Sequence, residues 1–515
     1  MLSDRTMAKC FATDITDLSS NPSLRVPNCA GISISYSHKE QTYSDMATEA
    51  PLANSGESHD SHHENTCDKI ASPHVLPSGY VGFVKEEDMV DVDTVSGERY
   101  FLGSSHAGSE ENLRLLEDLS HSSSHPRECI PAINCLTDDW AQNLILECAK
   151  AIYDGNIYKV QYMMRILADL SSPYGDLNQR LAACFLQGFL SKLTGNGSAC
   201  HNALIVAADR SCSFLSTRGM ILKYQEVSPW MTFGHVAANG ALMETFNGET
   251  KVHIIDISDT FCTQWPTFLE ALATRSDGAP HLRLTSIMAT KQSSEIKVMK
   301  EIENRLTKFA RLMGVPFEFR MIQLPELDKL QIEMLELREG EALAINCIHS
   351  LHNVSEKSYG QLSHRDMLLY MFRSMKPKLL AIVEEEVDLV SFDFMSCICE
   401  ALRFYFLKFD SLEDCFPRIS SERLMLERIA ARKLVNVVAC EDSENLERQE
   451  KTLQWVARLK MVGFSPVNLS DDVVFDVTSL LKRYKEGWGF AISGSALILT
   501  WKDQHVISAS FWKPC

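Results

Sequence analysis

The chain has 515 residues, 45% hydrophobic and 23% charged, which is globular composition with enough apolar side chain for a large core. It has no apolar run of about 18 residues, which excludes a membrane-spanning helix, and its first residues lack the apolar stretch of a secretory signal. The formal net charge of -18 repels phosphate, so the electrostatic footprint of an autonomous DNA-binding domain is missing; work on nucleic acid has to go through a partner or one local patch.

Residues 1–130 read as an acidic, largely disordered tail. They hold 21 acidic and 9 basic residues, a net of -12, so the other 385 residues carry only -6. They also hold 21 serines and eight of the 16 histidines, and stretches such as NSGESHDSHHENT cannot bury enough apolar surface to offset chain entropy. Gly79 to Val84 and the leucines of Glu111–Leu119 are the pieces suited to local order. His59, His62 and His63 belong to a solvated loop, since no cysteine or carboxylate spacing completes a tetrahedral metal site. The 16 cysteines follow no disulfide framework and read as reduced thiols.

From about Leu136 the period becomes helical. Thr137 or Asp138 is suited to an N-cap. Trp140, Leu144, Cys148 and Ile152 form one apolar stripe, Val160, Met163, Met164 and Leu167 a second, and Leu181, Cys184, Phe185 and Phe189 a third. Helices ahead of any strand indicate a helical cap, and such a cap is a ready surface for partner helices.

After residue 250 strands alternate with helices. Lys251–Ile257 is a continuous apolar run, as in a strand buried on both faces. Pro266 opens a helix over Thr267–Arg275. Strands follow at Leu282–Met288, Phe317–Ile322, Ala342–Ile348 and Leu379–Val383. Helices fall between them, one ending at Gly314 and one around Arg365–Ser374. This order implies a mostly parallel sheet with right-handed crossovers. Helical patterns run from Phe392 to about Tyr484, and Ala496–Lys502 with His505–Trp512 reads as a hairpin turning at Asp503-Gln504. The fold class is therefore α/β, a Rossmann-like, methyltransferase-like sheet with a C-terminal antiparallel hairpin and an N-terminal helical cap.

That plan raises a methyltransferase, or another small-molecule-binding enzyme, as the alternative function. In such a sheet the ligand sits beyond the carboxyl ends of the strands, and glycines after the first strand let backbone N–H groups approach it. Here the loop is Asp256-Ile257-Ser258-Asp259-Thr260-Phe261-Cys262, without glycine. The second strand runs into Ile287-Met288-Ala289-Thr290-Lys291, without the carboxylate that takes ribose hydroxyls. Both cofactor devices are absent from the sequence, so no cofactor and no catalytic residue is assigned. His253 reads as a core histidine with satisfied hydrogen bonds, and Asp256 as a residue that caps or fixes the loop. His349 and His352 follow a strand end without an evident partnered carboxylate. Cys397 and Cys399 lack a second pair and do not make a zinc site. Glu384-Glu385-Glu386 reads as a solvated acidic edge that could attract a basic peptide. Arg483 and Glu486, i and i+3 on the last helix, read as a surface ion pair.

The chain resembles a known family, the plant GRAS proteins, over about residues 135 to 514. The VHIID motif is literal in Val252, His253, Ile254, Ile255 and Asp256, flanked by Gln264-Trp265-Pro266 and Leu282-Arg283-Leu284-Thr285. A second leucine-rich region runs through Leu324–Leu337. The PFYRE region is matched by Pro377, Phe404-Tyr405 and Arg432 to Glu441, and the SAW region by Arg483, Glu486, Gly487, Trp488, Trp501 and Trp512, with Ser510-Phe511-Trp512 in place of Ser-Ala-Trp. On this resemblance the GRAS domain occupies 131–514: a cap at about 136–250, VHIID at 251–290, the second leucine-rich region at 291–340, PFYRE at 341–442 and SAW at 443–514. Stretches such as QEVSPW, TFGHVAANGA, KFARLMGVPF and LLKRYKEG point to one branch of the family. That branch implies a non-enzymatic transcriptional regulator of root ground-tissue patterning, found in nucleus and cytoplasm. It pairs with a SCARECROW-type GRAS protein and with indeterminate-domain (BIRD) zinc-finger proteins that supply the DNA contacts. The partner-binding candidates are Trp140, Leu144, Met163 and Met164 on the cap, with Glu384 and Glu385.

Overall fold

The structure, a computed structural model, describes residues 139–211, 213–290, 293–354, 358–359, 362–390, 393–440 and 448–515. The readings on residues 1–130, with Gly79 to Val84, Glu111–Leu119 and the His59, His62, His63 group, lie outside the described residues, as do Thr137 and Asp138.

Among the described residues six helices precede the first strand: α1 (Trp140–Tyr153), α2 (Ile157–Leu170), α3 (Leu177–Leu193), α4 (Gly197–Ser211), α5 (Phe214–Val227) and α6 (Thr232–Thr245). Local chemistry sets their ends. Asn156 caps α2 by accepting from the Lys159 N–H at 3.1 Å, and Asp176 with Gln179 closes a reciprocal capping box on α3. The α1 stripe is rotated by about one residue from the sequence reading. The buried positions are Trp140, Ala141, Ile145, Cys148 and Ala149, with Leu144 and Ile152 on its flanks. Alanines account for the shift, since they give no apolar signal at the positions where α3 and a later helix press closest.

The sheet then forms from β1 (Lys251–Ser258), β2 (His281–Ala289), β3 (Phe317–Leu324), β4 (Ala342–Ile348) and β7 (Leu379–Glu385). Between them lie α7 (Trp265–Ala273), α8 (Ser293–Met313) and α9 (His364–Ser374), and a small ribbon of β5 (Ser358–Tyr359) and β6 (Leu362–Ser363). Helices α10 (Phe394–Cys415), α11 (Ser421–Ala439) and α12 (Thr452–Val462) follow. The chain ends with β8 (Phe464–Pro466), α13 (Asp471–Leu481), β9 (Trp488–Ser493), β10 (Ala496–Trp501) and β11 (Gln504–Pro514). The strand order is β3-β2-β1-β4-β7-β11-β10-β9, with β8 on the far end of β11. The first five strands of that order are parallel and β11 inserts antiparallel beside β7. The antiparallel portion is larger than the hairpin read from the sequence: β9 adds a third strand. The turn sits one residue earlier, at Lys502 and Asp503, both left-handed (φ 48° and 62°) as a two-residue hairpin turn requires.

Strand β1 is buried on both faces, and the two faces feed two cores. Val252 and Ile254 join the cap-side cluster, Ile255 and Ile257 the opposite one. The polar residues of VHIID therefore fall one on each face. On the cap side, α6 lies so close to β7 that a Cβ on Gly234 would stand 2.6 Å from Val383 Cγ1; on Gly240 it would stand 2.7 Å from Val473 Cγ2 of α13. Only glycine permits that approach.

Candidate functional site

At the carboxyl end of β1, Asp256 is 1% exposed and its carboxylate is saturated. Trp265 Nε1 donates to Oδ2 at 2.7 Å and the Cys262 thiol lies 3.9 Å from the same oxygen. Asn346 Nδ2, from the end of β4, donates to Oδ1 at 3.0 Å, and the Ser258 hydroxyl donates to that oxygen as well. A carboxylate has about four acceptor directions, and all are taken, so none remains for a ribose hydroxyl. Burial raises the Asp256 carboxyl above its ordinary value, and those same hydrogen bonds oppose the rise. The reading of Asp256 as the residue that fixes the loop agrees with this geometry.

The loop itself turns inward. Phe261 (φ 50°) and Cys262 (φ 56°) are left-handed without being glycine, a conformation that costs about 1–2 kcal/mol each. Cys262 is buried, burial pushes its thiol pKa up, and Phe261 packs against the core. Where a nucleotide-binding relative presents bare backbone N–H groups, this chain packs side chains.

A second polar cluster occupies the carboxyl ends of β4 and β7, and here the sequence reading is corrected. Glu384, Glu385 and Glu386 are not a solvated edge; they are 1%, 5% and 7% exposed. Strand β7 continues two residues past the sequence-predicted end at Val383 and carries Glu384 and Glu385 inward. Glu384 accepts from the backbone N–H groups of Ser350 (3.0 Å) and Leu351 (2.7 Å) and from His352 Nδ1 (2.8 Å). Lys433 Nζ donates to His352 Nε2 at 3.1 Å, which places the imidazole proton on Nδ1. Lys408 Nζ (2.7 Å) and Gln449 Nε2 (3.1 Å) donate to Glu385, and the Thr452 N–H (3.0 Å) to Glu386. Burial works to raise the Glu385 pKa, but Lys408 and Lys433 outweigh it and bring it down to about 2. Glu385 neutralises Lys408, Glu384 fixes the turn that begins at Ser350, and Glu386 holds the start of α12 through Thr452. They offer no acidic surface to a peptide.

His253 matches its sequence reading: 1% exposed, Nε2 is 2.9 Å from Thr285 Oγ1 and Nδ1 accepts from Arg283 Nη2 at 2.9 Å. Burial, with Arg283 beside it, lowers its pKa to about 3. Trp501 is buried, donates Nε1 to Asp410 Oδ2 at 2.7 Å, and packs against Trp488 with ring centroids 4.7 Å apart and the ring planes tilted by 48°. Trp512 is buried in the core on the sheet face opposite the cap. Arg483 and Glu486 make no ion pair among the described residues. Helix α13 ends at Leu481, so both lie on the turn beyond it and their spacing carries no helical meaning.

On the cap, Trp140 and Met164 are core residues (8% and 3% exposed), while Leu144 and Met163 are partly buried against that core. The exposed apolar groups of the cap are others: Tyr174, Leu193 and Val206 singly, and a cluster of Tyr153 (62%), Ile157 (68%), Tyr158 (87%) and Tyr162 (44%) at the corner between α1 and α2. The sequence signal for them was available. They fall off the stripes, on helix faces where polar residues belong.

Taken together these features define a class: a methyltransferase-like α/β scaffold whose cofactor edge is filled by its own side chains, under a helical cap with an apolar corner. A family model for the GRAS domain matches residues 141–513. The chain is 47% identical over 393 residues to Protein SHORT-ROOT of Arabidopsis thaliana, 73% of each chain, and 44% identical over 415 residues to Protein SHORT-ROOT 1 of Oryza sativa subsp. japonica, 73% of this chain and 68% of that one. It is 33% identical to Scarecrow-like protein 21 of Arabidopsis thaliana, over 72% of this chain and 87% of that one. The crystal structure of SCL7 in Oryza sativa superposes with a TM-score of 0.61 at 24% identity, covering 72% of this chain and 99% of that one, which establishes a shared fold. The chain belongs to the GRAS family. It is a plant transcription regulator with a developmental role; proteins of this family work in complexes, and the role is a nuclear one. The branch that the long sequence stretches indicate is that of the SHORT-ROOT proteins.

Proposed function

We propose that this protein is a non-enzymatic regulator of the SHORT-ROOT type. It forms a heterocomplex with a SCARECROW-like GRAS protein and recruits indeterminate-domain zinc-finger proteins for DNA contact, in root ground tissue, from both nucleus and cytoplasm. The observation that carries the reading is the saturated Asp256 carboxylate. With every acceptor direction used inside the chain, the edge that binds a cofactor in an enzyme of this fold has no chemistry left to offer. The acidic balance of -18 fits a protein whose partner supplies most of the basic surface.

The contact surface on the cap is the Tyr153, Ile157, Tyr158, Tyr162 corner, since aromatic side chains that bury a ring and keep a polar tip are the usual anchors of interfaces. The test is gel filtration of the full chain with a SCARECROW-like partner at micromolar concentration. Tyr158→Asp should abolish co-elution and leave the unfolding midpoint unchanged. Co-elution that survives Tyr158→Asp removes the corner from the interface, and failure of the unaltered chain to co-elute removes the proposal. Titration calorimetry with S-adenosylmethionine tests the enzymatic alternative, and measurable heat at millimolar ligand would favour it.

A further inference from the structure

Helix α8 presents a row of cations that have no ion-pair partner among the described residues. Its apolar face is fixed by Val298, Met299, Leu306 and Ala310, all buried. Its exposed positions are Lys297, Lys300, Asn304, Lys308 and Arg311, with Leu312 (82% exposed) about 40° to the side of them at its end. At about 100° per residue these five fall within an arc of about 80°, and at about 1.5 Å per residue they run along about 21 Å of helix. None of the four cations has an ion pair or hydrogen bond among the described residues, although Arg305, just off the row, is paired with Glu301 at 2.8 Å. A protein of net charge -18 that leaves four cations in line, on a helix whose other face is buried, has a local patch of the sign its overall composition opposes.

We infer that the Lys297, Lys300, Lys308, Arg311 face of α8 lies along the phosphate backbone of duplex DNA, adding sequence-independent affinity to complexes whose base contacts come from a zinc-finger partner. The inference rests on the regulator reading above. The chemistry of the row selects this ligand class. It contains no aromatic ring on which a single-stranded base could stack, and its middle position is Asn304, which offers no apolar anchor for a peptide. What remains is charge and hydrogen-bond donors at fixed spacing, which position a duplex without reading its sequence. Each phosphate neutralised releases counterions, so the signature is a salt dependence with a slope of about -0.9 per contact.

The experiment uses the full chain and a fluorescent 30-base-pair duplex of arbitrary sequence, by anisotropy, at sodium chloride from about 20 to 150 mM. Three to four contacts predict a slope of log K against log salt near -3, and binding that falls about 100-fold or more across that range. Reversal of all four charges (K297E, K300E, K308E, R311E) is expected to flatten the slope to near zero and to leave co-elution with a SCARECROW-like partner intact. Absence of duplex binding by the unaltered chain at about 20 mM salt overturns the inference, as does an equal slope in the charge-reversed variant. Poly-glutamate binding that needs the row while duplex binding does not also overturns it, and assigns the face to an acidic protein. Loss of partner co-elution with duplex binding preserved would remove the regulator reading and leave the phosphate contact standing.

Discussion

Replacing Glu384 with glutamine separates a structural from a catalytic role for the polar cluster at the ends of β4 and β7. The substitution keeps shape and one carbonyl oxygen, which can still accept from the N–H groups of Ser350 and Leu351. The new amide, however, points two N–H donors at His352 Nδ1–H, a donor itself because Lys433 occupies Nε2. Either the donor pair faces off in the interior, or the imidazole changes tautomer and meets Lys433 donor to donor. A lost charge-assisted hydrogen bond costs about 1.5–3 kcal/mol and an unsatisfied buried donor about 1–3 more, so Glu384→Gln should destabilise by about 3 kcal/mol or more. Truncation to alanine, which also orphans two backbone N–H groups, should cost more still. Urea unfolding followed by tryptophan fluorescence measures this. The paired variant Glu384→Gln with Lys433→Met removes the conflict, so its cost should be below the sum of the single substitutions by about 1 kcal/mol or more. A cost under about 1 kcal/mol for Glu384→Gln, or strict additivity in the pair, would refute the account of Glu384 as counter-charge and turn anchor.

Two further outcomes follow from the same physics. His235 and His253, held by burial near pKa 3, and His349, near 4, stay neutral in the fold while the unfolded chain takes up protons below its ordinary histidine value of about 6.5. Folded values below the unfolded one mean stability is lost as pH falls, by about 1.2 kcal/mol per histidine between about pH 7 and 5.5, and a His253→Asn chain should lose that much less over the interval when unfolded by urea. On the cap side, Gly234→Ala drives a methyl group into Val383 and should lower stability by about 1–3 kcal/mol in thermal unfolding; adding Val383→Ala should recover part of it, and a neutral Gly234→Ala would contradict the packing.

The parallel sheet was legible because its strands are buried on both faces and so appear as unbroken apolar runs: Ala342–Ile348 matches residue for residue. The glycine-free loop was legible for the same local reason. What could not be read locally is instructive. Glu384 to Glu386 resemble a solvated run, since their partners His352, Lys408 and Thr452 come from 23 to 66 residues away and no short window holds both halves of each contact. Strand β9 was hidden by Gly489 and by the helical pattern ahead of it. Trp140 and Met164 are large and periodic, but periodicity marks the face that packs inward, where both are buried. Tyr153, Ile157, Tyr158 and Tyr162 are exposed and lie off the apolar stripes. The row on α8 is interleaved in sequence with three glutamates and an apolar stripe, so its cations share one face only once the helix is wound.

Restoring one missing glycine should not restore cofactor binding. Cys262→Gly relieves a left-handed non-glycine backbone, a gain of about 1–2 kcal/mol, and removes a buried thiol whose packing offers about 1 kcal/mol, so the variant should fold with stability within about 1 kcal/mol of the parent. It frees one backbone approach. The loss of the thiol leaves Asp256 accepting from Trp265, Asn346 and Ser258, and the one direction freed belongs to a carboxylate only 1% exposed, closed to an incoming ribose. Calorimetry on the Cys262→Gly chain should therefore register no heat with S-adenosylmethionine at millimolar concentration. Binding in that variant alone would mean that backbone access and not the occupied carboxylate is what silences this edge, and the regulator reading would then need a different foundation.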